Sequence, residues 1–122
     1  MRALSQMLKS LLGQSGESRA ASFLQAHGLR LVTRNWRCRF GEIDLVMHDG
    51  AVLVFVEVRV RSRADFGGAA ASVTTAKQKR LLAAARQYLA NLKTLPPCRF
   101  DVVALSGGME PEWIRNAFDD VG

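Results

Sequence analysis

The chain has 122 residues, 48% of them hydrophobic, and three prolines, enough apolar material for one domain with its own core and too little length for a second. Seventeen Lys and Arg against eleven Asp and Glu give a formal charge of +6, which favours a polyanionic partner such as DNA or RNA, although an acidic protein or membrane surface would attract the same charge. Cys38 and Cys98 lack the spacing of a zinc framework, and no run has the roughly 18 apolar residues of a membrane span or the core of a secretory leader, so a cytoplasmic protein is expected.

In chain order, residues 1–14 are expected to form a loosely attached segment, with a short helix over 2–12 stopped by Gly13. A better helix follows over about 17–27, where Ser15 can cap the start, Ala20, Ala21, Phe23, Leu24 and His27 recur at helical spacing, and Gly28 ends it. "LRLVTRNWRCRF" reads as a strand followed by a basic, Asn-containing connection. From Gly41 the hydrophobic period changes to two. Asp49-Gly50 is a strong short hairpin signal, pairing about 42–48 with 51–60 so that Met47 faces Val52, Asp44 faces Phe55 and Glu42 faces Glu57.

"SRADFGGAAASV" reads as a loop. Thr74 or Thr75 then caps a helix over about 76–92 whose Leu81, Leu82, Ala85, Tyr88, Leu89 and Leu92 form a core stripe. "CRFDVVAL" is a further strand, and "EWIR" a short final one before a helical turn at "NAFDD", with Trp113, Ile114 and Phe118 closing the core. The order helix, three strands, helix, one or two strands predicts an α/β fold with a central mixed β-sheet flanked by helices.

The hairpin raises a chemical question, because it carries Glu42, Asp44 and Glu57 inside an apolar stretch of a basic chain. In the predicted register these three and Arg59 share one face with Val46, Leu53 and Phe55, while Ile43, Leu45, Met47, Val52, Val54, Val56 and Val58 form the other. Carboxylates gathered in this way raise one another's pKa unless a positive charge compensates. A hard divalent cation is one compensator, with Asp44 and Glu57 as ligands and the Val58 carbonyl as a further oxygen; ion pairing with arginines at a surface hairpin is the other. Glu17 faces inward by its spacing to Ala20, Ala21 and Leu24 and could add a third carboxylate, or could serve only the helix N-terminus. Glu42 fits a pairing with Arg39 or Arg59 better than metal ligation. Asp101 fits a structural pairing with Arg99 or a helix terminus.

"NWRCRFGEIDLVMHDGAVLVFVEVRVRSRADFG", followed by "TTAKQKRLLAAARQYL" and "RFDVVAL", closely resembles the YraN family of small bacterial proteins. That family is related by fold to the restriction-endonuclease-like nucleases, especially the Holliday-junction resolvases. The resemblance runs from about Gly16 to Phe118. It implies a restriction-endonuclease-like core whose metal site takes an acid from the first helix, an Asp at a strand end, and Glu-x-Lys on the next strand. Glu17, Asp44 and Glu57 match those acids, with Val58 between Glu57 and the last position.

That last position is Arg59, a departure from lysine, and a guanidinium cannot act as a general base although it can stabilise negative charge. The implied chemistry is Mg2+-dependent phosphodiester hydrolysis of structured or branched DNA, with Mn2+ able to substitute, and a homodimer is implied as well. Arg34, Arg37 and Arg39 before the hairpin, Arg61 and Arg63 after it, and Lys77, Lys79 and Arg80 on the next helix would form a phosphate track; each alone also suits a solvated surface. The rival readings are a nucleic-acid-binding module of the same fold with weak or no cleavage, and an adaptor for an acidic protein.

Overall fold

The computed structural model of the chain describes residues 16–61, 73–106 and 110–118, with the backbone alone for Arg61. Helix α1 covers 16–26. Strands β1 (Arg30–Cys38), β2 (Gly41–Asp49) and β3 (Val52–Arg61) follow, then α2 (Thr75–Ala90), β4 (Cys98–Ser106) and β5 (Glu112–Phe118). The strands form one sheet in the order β1-β2-β3-β4-β5. Every pair is antiparallel except β3 with β4, the pair that needs a crossover, and α2 lies within that connection. The sheet is therefore mixed and flanked by two helices. Among the described residues no helix is long and apolar enough to cross a membrane.

The hairpin register differs from the predicted one by two residues. Asp49 pairs with Val52, Met47 with Val54 and Leu45 with Val56, so the turn is Gly50-Ala51. Gly50 has φ 59 and Ala51 is not in the left-handed region, the pattern of a type II′ turn, which wants glycine first. Asp49 stays in the strand, where Arg99 Nη1 meets its Oδ2 at 2.8 Å. A shift of two preserves which residues share a face but changes the partner of Glu57. Continued by one residue, the observed register sets Asp44, not Glu42, opposite Glu57.

Face alternation itself slips once. Arg34 donates to Ser18 of α1 at 3.0 Å, whereas Trp36, two residues on, packs edge-on to Tyr88 of α2. Asn35 between them has φ 54, a conformation asparagine tolerates better than most residues. Across the ladder Leu45 joins the α1-side core and Ile43 the α2-side core, so Ile43 does not share the face of Leu45 and Met47 as expected. β1 also continues through Cys38 where a connection was predicted.

Ala20, Ala21, Leu24, Leu45, Met47, Val54, Val56 and Val103 fill the α1 side. Ile43, Val46, Leu53, Phe55, Leu81, Ala84, Ala85 and Phe100 fill the α2 side. Thr74 caps α2 by accepting the Lys77 amide at 3.2 Å. Leu92, predicted in the stripe, lies past the helix end and is exposed. β5 extends through Phe118, replacing the helical turn expected from Asn116. The Ser15 cap, the 1–14 segment and the "RADFGG" loop lie outside the described residues.

Candidate metal centre

Pairing between β2 and β3 runs from Asp49–Val52 to Leu45–Val56. At the next step the side chain of Asp44 replaces a backbone partner, its Oδ2 accepting the Val58 N–H at 2.8 Å. The strands part there, and carboxylates from three elements meet. Glu17 of α1, Glu42 and Asp44 each offer an oxygen, all within 4.8 Å of one another and all half-buried. Glu57, 4% exposed, is close enough to Asp44 to share a hydrogen bond with it. On the α2 side a cavity of about 240 Å³ is lined by Gly41, Glu42, Asp44 and Glu57 from the strands and by Lys77, Arg80 and Leu81 from α2.

Electrostatics single out Asp44. Burial first, then the negative charge of Glu57, push its carboxyl from the ordinary 3.8 up to about 8, against the opposing hydrogen bond from Val58. A hydrogen bond shared with Glu57 holds the proton further. Glu17 is also raised, by burial and then by Glu42, with a hydrogen bond to Asn35 acting against the rise. Its Oε2 is enclosed without a hydrogen-bond partner among the described residues. An all-oxygen donor set with a crowded proton and an enclosed lone oxygen suits a hard divalent cation, which would displace the proton and supply the missing partner.

Positive groups stand on two sides. Lys77 Nζ lies 2.9 Å from Glu57 Oε1, and Arg59 Nη1 lies 3.9 Å from the same oxygen, while Arg59 Nε is enclosed without an acceptor among the described residues. Arg37 pairs with Glu42 at 3.6 Å, both accessible, in place of the predicted Arg39 or Arg59. Arg39 lies over the Phe40 ring, and Lys79 and Arg80 are exposed on α2. Val58 meets Asp44 through its N–H, whereas the sequence suggested its carbonyl as a ligand. Of the phosphate-track candidates, Arg63 and the side chain of Arg61 lie outside the described residues.

Two features of the site have no local signal in the sequence. Glu42 pairs with an arginine, as its position suggests, though with Arg37, and its oxygen also falls within the acidic group; its place beside Glu17 depends on how α1 meets β2. The Lys77–Glu57 pair joins α2 to β3 across the cavity, and nothing local in the sequence signals it.

Asp101 is not part of this centre. Wholly buried, it accepts from Arg99 Nε at 3.1 and 3.2 Å, Trp113 Nε1 at 2.9 Å and the Asn116 amide at 2.9 Å. Cys38 and Cys98 are free thiols.

The model of uncharacterised protein family UPF0102 matches residues 16–105, which takes in every member of the acidic centre and both helices. A UPF0102 protein of Nitrosospira multiformis is 56% identical over 115 residues, covering 93% of this chain and 97% of the relative. One from Janthinobacterium sp. strain Marseille is 57% identical over 111 residues, covering 91% and 89%. One from Cupriavidus pinatubonensis is 60% identical over 109 residues, covering 88% and 84%.

Proposed function

The chain belongs to the uncharacterised protein family UPF0102, and from that premise and its acidic centre we propose that it is a divalent-metal-dependent endonuclease acting on structured or branched DNA. One observation carries the reading: Asp44 is grouped with Glu17 and Glu42 and interacts with Glu57, with its carboxyl pushed up to about 8, beside an enclosed Glu17 oxygen that has no hydrogen-bond partner among the described residues. Such an arrangement is costly until a cation joins it. The resemblance to the restriction-endonuclease-like nucleases adds the reaction class, and it does so by analogy of fold.

Asp44, Glu17 and Glu42 would hold the ion, and Glu57 would join them on leaving Lys77. Bound there, magnesium would supply Lewis acidity at a phosphodiester oxygen and a more acidic water. Val58, by donating to Oδ2, holds the Asp44 carboxylate in place. Arg80 and Lys77 line the same cavity and are placed to attract a phosphate. Exposed Arg34, Arg37 and Arg39 extend positive charge along the β1 side, for binding through the backbone with no base-reading element.

The alternative, a nucleic-acid-binding module with weak or absent cleavage, draws support from Arg59, whose part-exposed guanidinium stands where the related nucleases have lysine. Purified wild type and Glu57→Gln separate the two. Wild type is expected to nick four-way-junction or duplex DNA with Mg2+ or Mn2+, and Glu57→Gln to lose at least about a hundredfold, since even outer partners of metal ligands are worth 10–100-fold. Equal cleavage by both would place the activity elsewhere. Salt-sensitive binding without cleavage would favour the module.

A further inference from the structure

Glu57 has two cations at one oxygen, and they differ in origin and distance. Arg59 stands two residues on along the same strand, with its Nε enclosed and its Nη1 3.9 Å from Oε1. Lys77 comes from α2 and is closer, at 2.9 Å, and each of the two side chains keeps about a third of its exposure. Its backbone is fixed in the first turn of α2 by the Thr74 cap, while its four-carbon stem reaches over a cavity with room for movement. Arg80, one helical turn on, lines the same cavity.

We propose that Lys77 is an exchangeable counter-ion that couples metal binding to phosphate binding; the proposal rests on the metal-site reading above. Without metal, its ammonium neutralises Glu57. A divalent cation at the carboxylates competes for the same oxygen and repels the ammonium at short range. Released, Lys77 keeps its anchor in α2 and meets a phosphate oxygen of bound nucleic acid beside Arg80. A compact point charge on a flexible stem that starts from a different element suits that exchange better than the planar guanidinium of Arg59, which starts from the same strand as Glu57. Metal and nucleic acid therefore help each other bind, and the coupling is reciprocal. Lys77 is a phosphate-positioning residue in this scheme.

Calorimetric Mn2+ titration and junction-DNA binding by fluorescence anisotropy, in Ca2+ and in EDTA, test it on the whole chain. Lys77→Met removes the competitor, so Mn2+ is expected to bind DNA-free protein about five- to tenfold more tightly. The same variant is expected to lose a similar factor from the gain in DNA affinity that Ca2+ confers. Lys77→Gln, which keeps a hydrogen-bonding group at this part-exposed position, should reproduce both shifts. Lys79→Met, an equal charge loss on the same helix, should weaken DNA binding and leave the Ca2+ gain intact.

Unchanged or weaker Mn2+ binding by both Lys77 variants would overturn the exchange. A Ca2+ gain equal to wild type would overturn the phosphate contact. If Mn2+ binding to wild type is lost in Glu57→Gln while the Lys77 variants show no shift, the metal site stands and the exchange alone falls. Absence of Mn2+ binding to wild type would overturn both.

Discussion

Two aspartates of one sheet, Asp44 on β2 and Asp101 on β4, each take the amide of an adjacent strand where regular pairing stops. Asp44 receives Val58 of β3. Asp101 receives Asn116 of β5, at a place where three β5 residues, 115–117, stand against Asp101 alone. Their remaining neighbours are opposite in kind. Both Asp101 oxygens gain further donors, from the Arg99 guanidinium and the Trp113 indole, and Asp49 holds the far side of Arg99. Asp44 instead meets Glu57, Glu17 and Glu42. The same backbone device closes a structural joint in one place and, in the other, leaves negative charge in need of a cation.

The largest effect expected from this contrast is on the closed joint. Asp101→Ala would leave Arg99 Nε, the indole N–H and the Asn116 amide without their acceptor together, lowering the unfolding free energy by about 3–5 kcal/mol. Urea denaturation reads it, and a loss below about 1 kcal/mol would show that the network is not a joint.

Asp44→Asn should move stability the other way. The amide can keep accepting from Val58 and donate to Glu57, and it carries no charge to crowd. Metal-free protein near pH 8 is expected to gain about 1–3 kcal/mol by the same measurement, a discounted share of the raised carboxyl's linkage. Cation binding should be lost in exchange. A destabilised Asp44→Asn would mean that the acidic centre is as settled as Asp101.

The pH dependence follows with a definite sign. Between 3.8 and about 8 the folded chain holds a proton on Asp44 that the unfolded chain lacks. Wild-type stability without metal should therefore fall as pH rises through that window, by up to about 1.4 kcal/mol per unit, and level off above it. Asp44→Asn should flatten the slope, and saturating Mn2+ should reverse the loss at the alkaline end. Thermal or urea unfolding at several pH values checks this, and identical slopes for wild type and Asp44→Asn would remove Asp44 as the cause.

The smallest change sharpens the register on which the comparison stands. Gly50→Ala puts a side chain at φ 59, a strain of about 1 kcal/mol. An equal cost at Ala51→Gly, where the left-handed conformation is not required, would argue against the Gly50-Ala51 turn.

The alternation of Val46, Leu53 and Phe55 made the hairpin and its two faces legible from sequence, and parity survived the misplaced turn because the error was an even number of residues. Asp-Gly was misleading because the turn needed glycine at its first position, while Asp49 had a partner in Arg99 some fifty residues away. The slip at Asn35, which sends Ile43 to the α2 side, has no period to announce it. Glu17, Asp44 and Glu57 could be named by residue type and resemblance. The neighbours that define their chemistry, Glu42 against Glu17 and Lys77 against Glu57, come from packing between elements, as do Trp113 and Asn116 around Asp101.

The left-handed asparagines have a further consequence at the rims of the sheet. β1 and β5 are its outer strands, and both are broken: β1 by a bulge between Leu31 and Thr33 and by Asn35 at φ 54, β5 by its looped-out residues and Asn116 at φ 50. An open strand is a template for another chain only while its free amides and carbonyls keep a regular spacing. Neither rim offers more than a few positions in step. Fibril-like stacking and edge-to-edge sheet extension are thereby disfavoured, so a two-fold pair of the kind implied by the nuclease resemblance would have to be built from helix or loop surfaces.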